Sequence, residues 1–264
     1  MSRPIGIFDS GVGGLTVLGA LRERLPAEHF VYLGDTARLP YGTKSAATVQ
    51  RYAVNAARHL AEHDVKLLVV ACNTASSYAL DALAAISPVP VVGVVEPGAR
   101  AAVATGARRI GVIGTEGTVR SGAYQRALAR LAPDAEVEAA PCPLLVPLAE
   151  EGWGDHPVTD QVARTYLAPL LEWGVETVIL GCTHYPLLRP SLQRVVGPGV
   201  CLVDSATAVA DTVVADHLGL VSTAPGDGTV RLELTDASDR FLRITRAILG
   251  ADPGHLEVVD VDHG

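Results

Sequence analysis

Three apolar blocks return in the same order along this chain, and that repetition limits its fold more than any other feature. Ile5-Gly-Ile-Phe-Asp9-Ser10-Gly resembles Ile110-Gly-Val-Ile-Gly-Thr115-Glu, 105 residues further on. Leu67-Leu-Val-Val-Ala-Cys72-Asn73-Thr74 resembles Thr177-Val-Ile-Leu-Gly-Cys182-Thr183-His184, and Val89-Pro-Val-Val-Gly93 resembles Gly199-Val-Cys-Leu-Val203, both at an offset of 110. Each block is a short β-branched run that ends in Gly, Asn, Ser or Thr. A strand buried on both faces reads this way where it feeds a loop and the start of a helix. Amphipathic stretches over 16–25, 46–63, 121–131 and 159–173 fill the gaps. The alternation predicts an α/β fold of two similar parallel-sheet domains related by the internal repeat. Ligands in such sheets bind outside the carboxyl ends of the strands, which places the active site in the cleft between the domains.

The last repeated strand of each half is followed by Glu96-Pro97-Gly98 and by Asp204-Ser205, the expected crossings between domains. The first domain is therefore expected over 1–97 plus 206–264, and the second over 98–205. After residue 206 only 208–218 has a strong helical pattern, followed by a turn at Pro225-Gly226. That remainder is too short for a third domain and is expected to complete the first.

Composition narrows the function classes. Of 264 residues, 48% are apolar and 19% charged, the reverse of a disordered chain. The net charge of −8 with no basic stripe argues against holding a nucleic-acid backbone directly. Leu67-Leu-Val-Val-Ala-Cys72 stops at Asn73, far short of the ~18 apolar residues of a membrane span, so no membrane partner is expected. The first apolar stretch breaks at Asp9, which disfavours a signal peptide. Cys72, Cys142, Cys182 and Cys201 are widely spaced and include no C-x-x-C pair. Reduced thiols and a cytoplasmic location are the expectation.

The cysteines carry the chemistry. Cys142, between two prolines, and Cys201, inside an apolar strand pattern, read as inert small hydrophobes. Cys72 and Cys182 occupy matching strand ends in the two halves, each where the next helix is expected to start. A helix N-terminus stabilises a thiolate and should bring a thiol pKa from about 8.5 toward neutrality. Two thiols on opposite sides of a cleft suit a symmetric reaction: racemisation beside a carboxylate needs a base on one face of the carbon and an acid on the other. A single thiolate with His184 would instead suggest a covalent nucleophile, as in a thiol hydrolase. Two cysteines and one histidine at this spacing do not resemble a metal centre, and no metal is expected. Asp at a strand end is ordinarily a cap or turn former, and a loop His is ordinarily structural. Here Asp9 heads a Ser-Gly-Val-Gly-Gly loop and His184 lies two residues past Cys182, so each can tune one thiol. The loop Gly11-Val-Gly13-Gly14 lacks G-x-G-x-x-G and the Walker lysine. It is better suited to bringing backbone N–H groups close to a carboxylate.

Phe8-Asp9-Ser10-Gly-Val-Gly-Gly-Leu-Thr-Val17, Gly34-Asp35-Thr-Ala-Arg-Leu-Pro40-Tyr41-Gly42, Ala71-Cys72-Asn73-Thr74-Ala-Ser76 and Gly181-Cys182-Thr183-His184-Tyr-Pro-Leu188 resemble the motifs of glutamate racemases, within the aspartate/glutamate racemase superfamily. Val146-Pro-Leu-Ala-Glu150-Glu151-Gly and Val203-Asp204-Ser205 resemble further family segments. The resemblance implies a cofactor-independent enzyme that interconverts L- and D-glutamate by two-base proton transfer. Cys72 would act on the α-proton of the D-enantiomer and Cys182 on that of the L-enantiomer. Asp9 would assist the first thiol, and His184, with Glu150 nearby, the second. Ser10, Tyr41, Gly42, Asn73, Thr74 and Thr183 match positions that hold the substrate, and Pro40 would shape the same wall. The family also implies a homodimer and a supply of D-glutamate to peptidoglycan synthesis. The alternatives are an aspartate or hydantoin racemase of the same superfamily, or a non-catalytic protein that binds DNA gyrase, which some members inhibit.

Overall fold

Burial of alternate side chains on opposite faces explains why the central strands read as apolar runs. The computed structural model describes residues 3–250 and 255–261. Its first sheet holds β1 (Ile5–Asp9), β2 (Phe30–Gly34), β3 (Leu67–Val70) and β4 (Val91–Gly93). The second holds β5 (Arg109–Gly114), β6 (Glu136–Pro141), β7 (Thr177–Gly181) and β8 (Cys201–Asp204). Ile5, Ile7, Leu67 and Val69 enter one buried cluster of the first sheet, whereas Phe8, Leu68 and Val70 enter the other. In the second sheet Val178 and Leu180 separate in the same way from Ile179. Helices cover both faces of the central strands, so β1, β2, β3 and β7 are buried at every position, whereas the edge strand β6 has exposed residues.

Late in the chain, β9 (Val230–Leu234) and β10 (Leu256–Val258) extend the first sheet on the β2 side. The orders are β10-β9-β2-β1-β3-β4 and β6-β5-β7-β8, with every pairing parallel. The arrangement 2-1-3-4 thus occurs twice. In each sheet the chain moves from the first strand to one side and then returns to the other. A crevice opens at the carboxyl ends where these directions diverge, between β1 and β3 and between β5 and β7. Asp9 ends β1 and Cys72 follows β3; Thr115 follows β5 and Cys182 follows β7.

The helix Val95–Ala104 packs its Val95, Ala99 and Ala102 into a cluster of the second sheet. The helix Ser205–Asp216 packs Ala206, Val209, Ala210 and Val213 into the first. An ion pair at 3.3 Å joins these two helices through Arg100 and Asp216. Among the described residues no helix is long and apolar enough to cross a membrane.

Several local expectations change. The helical pattern over 121–131 divides into Glu116–Ser121 and Ala123–Leu131, because Gly122 adopts a left-handed φ of 66° and ends the first segment. The tail contains a second helix, Asp239–Leu249, besides its two strands. Cys201 starts β8 and is exposed, so it is not a buried small hydrophobe. Cys142 is buried, and burial together with nearby Cys182 pushes its thiol up to about 12.

Ile7 is fully buried at the centre of the first sheet. Ile7→Ala is expected to cost about 2–5 kcal/mol, through lost transfer energy and an unfilled cavity. A lower urea midpoint in circular dichroism measures it; a midpoint equal to that of the parent protein contradicts the two-sided burial of β1.

Candidate active site

Cys72 caps the N-terminus of the helix Asn73–Ile86. The backbone N–H of Ala75 donates to its Sγ at 3.5 Å, and its own S–H donates to Ser10 Oγ at 3.4 Å. Asp9 lies behind this thiol, fully buried, with its Oδ2 accepting from the Gly11 N–H at 2.9 Å. Burial raises the Asp9 pKa, opposed by the His184 charge and by the N–H groups of Gly14, Gly11 and Ser10. The Cys72 thiol moves the same way: burial, then the Asp9 charge, pushes it up to about 12 despite the bonds from Ser10 and Ala75. The expected drop toward neutrality is therefore reversed. Desolvation of a thiolate next to a carboxylate outweighs one helix terminus.

The second thiol has different neighbours. Cys182 does not start an α-helix. A 3-10 turn, Tyr185–Leu188, follows it, and the helix Arg189–Val196 begins only afterwards. Pro186 has no N–H for an α-helical bond, while Tyr185 and Leu187 donate to the carbonyls of Cys182 and His184, both at 3.1 Å. His184 Nδ1 lies 3.8 Å from Cys182 Sγ, and its Nε2 lies 3.3 Å from Glu150 Oε1. Burial by itself lowers the His184 pKa, but Cys182 and Glu150 more than offset it and raise it to about 10. His184 is therefore an imidazolium at neutral pH, with a proton directed at the sulfur.

Ser10, Pro40, Tyr41, Gly42, Cys72, Asn73 and Thr74 line a single cleft. Cys182, Thr183, His184 and Glu150 line the same cleft. Asp9 does not line the cleft; it sits in the wall, where Thr183 Oγ1 donates to it at 3.5 Å. Tyr41 donates its hydroxyl to Asp35, which also accepts from Arg38 Nε at 2.8 Å and from Thr235 Oγ1 at 3.0 Å. Burial, and then the Asp35 charge, raises the Tyr41 pKa, so this wall keeps its phenol. Asn73 Oδ1 accepts from Tyr124 at 2.6 Å, while among the described residues Asn73 Nδ2 has no acceptor. A buried, unmatched amide N–H2 facing a cleft is a ready donor for a carboxylate.

Some contributors have no counterpart in the expectations. Thr115 and Val146 line the cleft, and Thr118 supports it. Thr74 Oγ1 lies 3.0 Å from Thr115 Oγ1 and 3.2 Å from Thr118 Oγ1. Thr115 could have been found from the repeat, since it matches Ser10 at the offset of 105. Gly13 is required by close approach: a Cβ there would stand 2.5 Å from Thr183 Oγ1 and 2.6 Å from His184 Nδ1.

Residues 13–213 match the family described as Asp/Glu/Hydantoin racemase. The chain is 51% identical to the glutamate racemase of Geobacter metallireducens over 263 residues, covering 98% of this chain and 97% of that protein. A crystal structure of glutamate racemase isoform RacE1 from Bacillus anthracis superposes with a TM-score of 0.92 at 37% identity, covering 98% of this chain and 97% of the other. The Francisella tularensis glutamate racemase, crystallised in complex with D-glutamate, superposes with a TM-score of 0.91 at 35% identity, covering 100% of this chain and 99% of the other.

The electrostatics of Cys72 are testable without substrate. In a chain whose other three cysteines are serine, alkylation of Cys72 should accelerate with pH far into the alkaline range. Asp9→Asn removes a negative charge that raises the thiol, so its pH–rate curve should move to lower pH. Alkylation at pH 8 should then run about tenfold faster than with Asp9 in place. An unchanged or alkaline-shifted curve contradicts the influence of Asp9.

Proposed function

The chain belongs to the Asp/Glu/Hydantoin racemase family and is an isomerase, and from that membership we propose that it interconverts L- and D-glutamate using Cys72 and Cys182 as paired acid and base. The observation that carries the reading is a thiol at each of two equivalent strand ends, facing one cleft but with opposite electrostatic neighbours. The names of the close relatives, and the D-glutamate held by the Francisella tularensis enzyme, support glutamate as the substrate.

In the direction from L-glutamate, Cys72 as a thiol delivers a proton, and Cys182, 3.8 Å from the His184 imidazole, takes one. That state takes the α-proton of L-glutamate onto Cys182 and returns the Cys72 proton to the other face. The opposite proton arrangement runs the reaction backward. The carbanionic character that develops at the α-carbon is stabilised by donors already in place, which need no reorganisation during transfer. Asn73 Nδ2 and the hydroxyls of Ser10 and Thr74 are these donors, while Thr183 and the Gly11–Gly14 loop hold Asp9 behind them. Tyr41 and Pro40 close the side wall over the substrate. Residues 1–97 with 206–264, and 98–205, act as the two units that close on it. The product D-glutamate supplies cytoplasmic peptidoglycan synthesis.

The decisive measurement follows α-proton exchange by NMR in D₂O, starting separately from L- and D-glutamate. Deuterium should appear first in the enantiomer opposite to the one supplied. Equal early incorporation into both enantiomers points to one base, and exchange with aspartate but not glutamate overturns the substrate. Cys72→Ala and Cys182→Ala should each abolish racemisation; substantial turnover by either removes the two-thiol scheme.

The pH dependence follows from His184. Its folded pKa is raised from 6.5 to about 10, so the stabilisation it gains from Cys182 and Glu150 is complete below 6.5 and lost as pH rises through 10. Glu150→Gln removes one of the contacts that raise it. The alkaline limb of the turnover profile should then fall at lower pH than in the parent enzyme; an unmoved limb separates Glu150 from the titrating group.

A further inference from the structure

A second cluster of chemistry-bearing side chains lies outside the cleft, in the first unit. His59 is in the last turn of the helix Ala46–Ala61, and His63 is in the turn that follows, four residues on and on the same face. Both point Nε2 at one carboxylate oxygen, Glu233 Oε2 on β9, at 2.6 and 3.2 Å. These ligand-type atoms all lie within 4.8 Å of one another.

We propose that His59, His63 and Glu233 bind one divalent transition-metal ion of the zinc class, joining the helix Ala46–Ala61 to β9. Two imidazoles and a carboxylate are a donor set that zinc takes readily, and histidines at i and i+4 are a common way for a helix to present two of them. Bonds of about 2.0–2.1 Å in tetrahedral array put neighbouring ligand atoms about 3.3 Å apart. The His63–Glu233 separation is already close to that, and the His59 contact must lengthen. Glu233 Oε1 is buried and makes ion pairs without a well-aligned hydrogen bond.

The surroundings suit a cation. Arg231 Nε lies 2.7 Å from Glu233 Oε1, which orients the carboxylate; His63 Nε2 reaches both its oxygens, at 3.1 and 3.2 Å, and His59 only Oε2. The Arg231 charge is shared with Glu257, whose Oε2 lies 2.5 Å from Nη2. With neutral imidazoles, one arginine against two glutamates leaves a local formal charge of −1 to receive the ion. His63 keeps 20% of its side chain exposed and provides the route of entry and room for a water as fourth ligand. The plain alternative is a metal-free network in which protonated histidines pair with Glu233.

Titrating chelator-treated protein with Co²⁺ distinguishes them. The expected result is one equivalent per chain, visible d–d bands of four-coordinate cobalt, displacement by Zn²⁺, and a saturable rise in Tm. His63→Gln should bind at least tenfold more weakly, fold normally, and retain racemase turnover. Absence of saturable binding overturns the proposal. So does equal affinity in His63→Gln, or a thiolate-to-cobalt charge-transfer band that places the ion on the cysteines. Failure here leaves the racemase reading untouched, since neither histidine lines the cleft.

Discussion

The chemistry depends on a polar seam between two separately built cores. Each sheet has its own buried clusters on both faces, and among the described residues no buried cluster spans the two sheets. Hydrogen bonds join the units instead: Thr74 with Thr115 and Thr118, Asn73 with Tyr124 and Ser205, and Thr16 with the Thr183 carbonyl at 3.3 Å. Each such bond contributes about 0.5–1.5 kcal/mol net, against several kcal/mol for a large buried side chain. A seam of this kind is held more weakly than either core, as polar interfaces between domains commonly are. Gly13 shows how closely it shuts, since no side chain fits between that loop and Thr183-His184.

Within the seam, duplication supplies symmetry of position and the neighbours break symmetry of charge. Cys72 and Cys182 follow equivalent strands, yet one faces a buried carboxylate and the other an imidazolium. Burial magnifies both influences, because little solvent remains to screen them. A single thiol environment repeated on both sides would favour the same proton state twice, which a two-base exchange cannot use. The His184 charge also opposes the rise of the Asp9 pKa across the seam, so one unit adjusts a group in the other.

Much of this was legible in the residues. The strands declared themselves because burial on both faces leaves only apolar β-branched runs, and the cleft followed from the polar residues that end them. Cys72 and Cys182 stood apart from Cys142 and Cys201 because only they repeat at one offset. Other features were not legible. The direction of the Cys72 shift reversed because helix N-termini are local and readable, whereas the desolvating wall and Asp9 come from other parts of the chain. Asn73 has an unmatched N–H2 only because Tyr124 and Ser205, far away in sequence, occupy its oxygen. His59 and His63 advertise an i,i+4 pair, but Glu233 lies 170 residues beyond His63 and has no local signature. The strands β9 and β10 were equally quiet, since Arg231, Glu233 and Glu257 interrupt their apolar runs.

By itself the sequence determined the duplicated α/β architecture, the strand ends and the residue types placed there, because side-chain period and turn chemistry act over a few neighbours. Only the tertiary structure decided why Cys72 holds its proton, which amide is left free and how closely the halves approach. Those properties follow from desolvation and Coulomb interactions between groups that chain proximity does not relate.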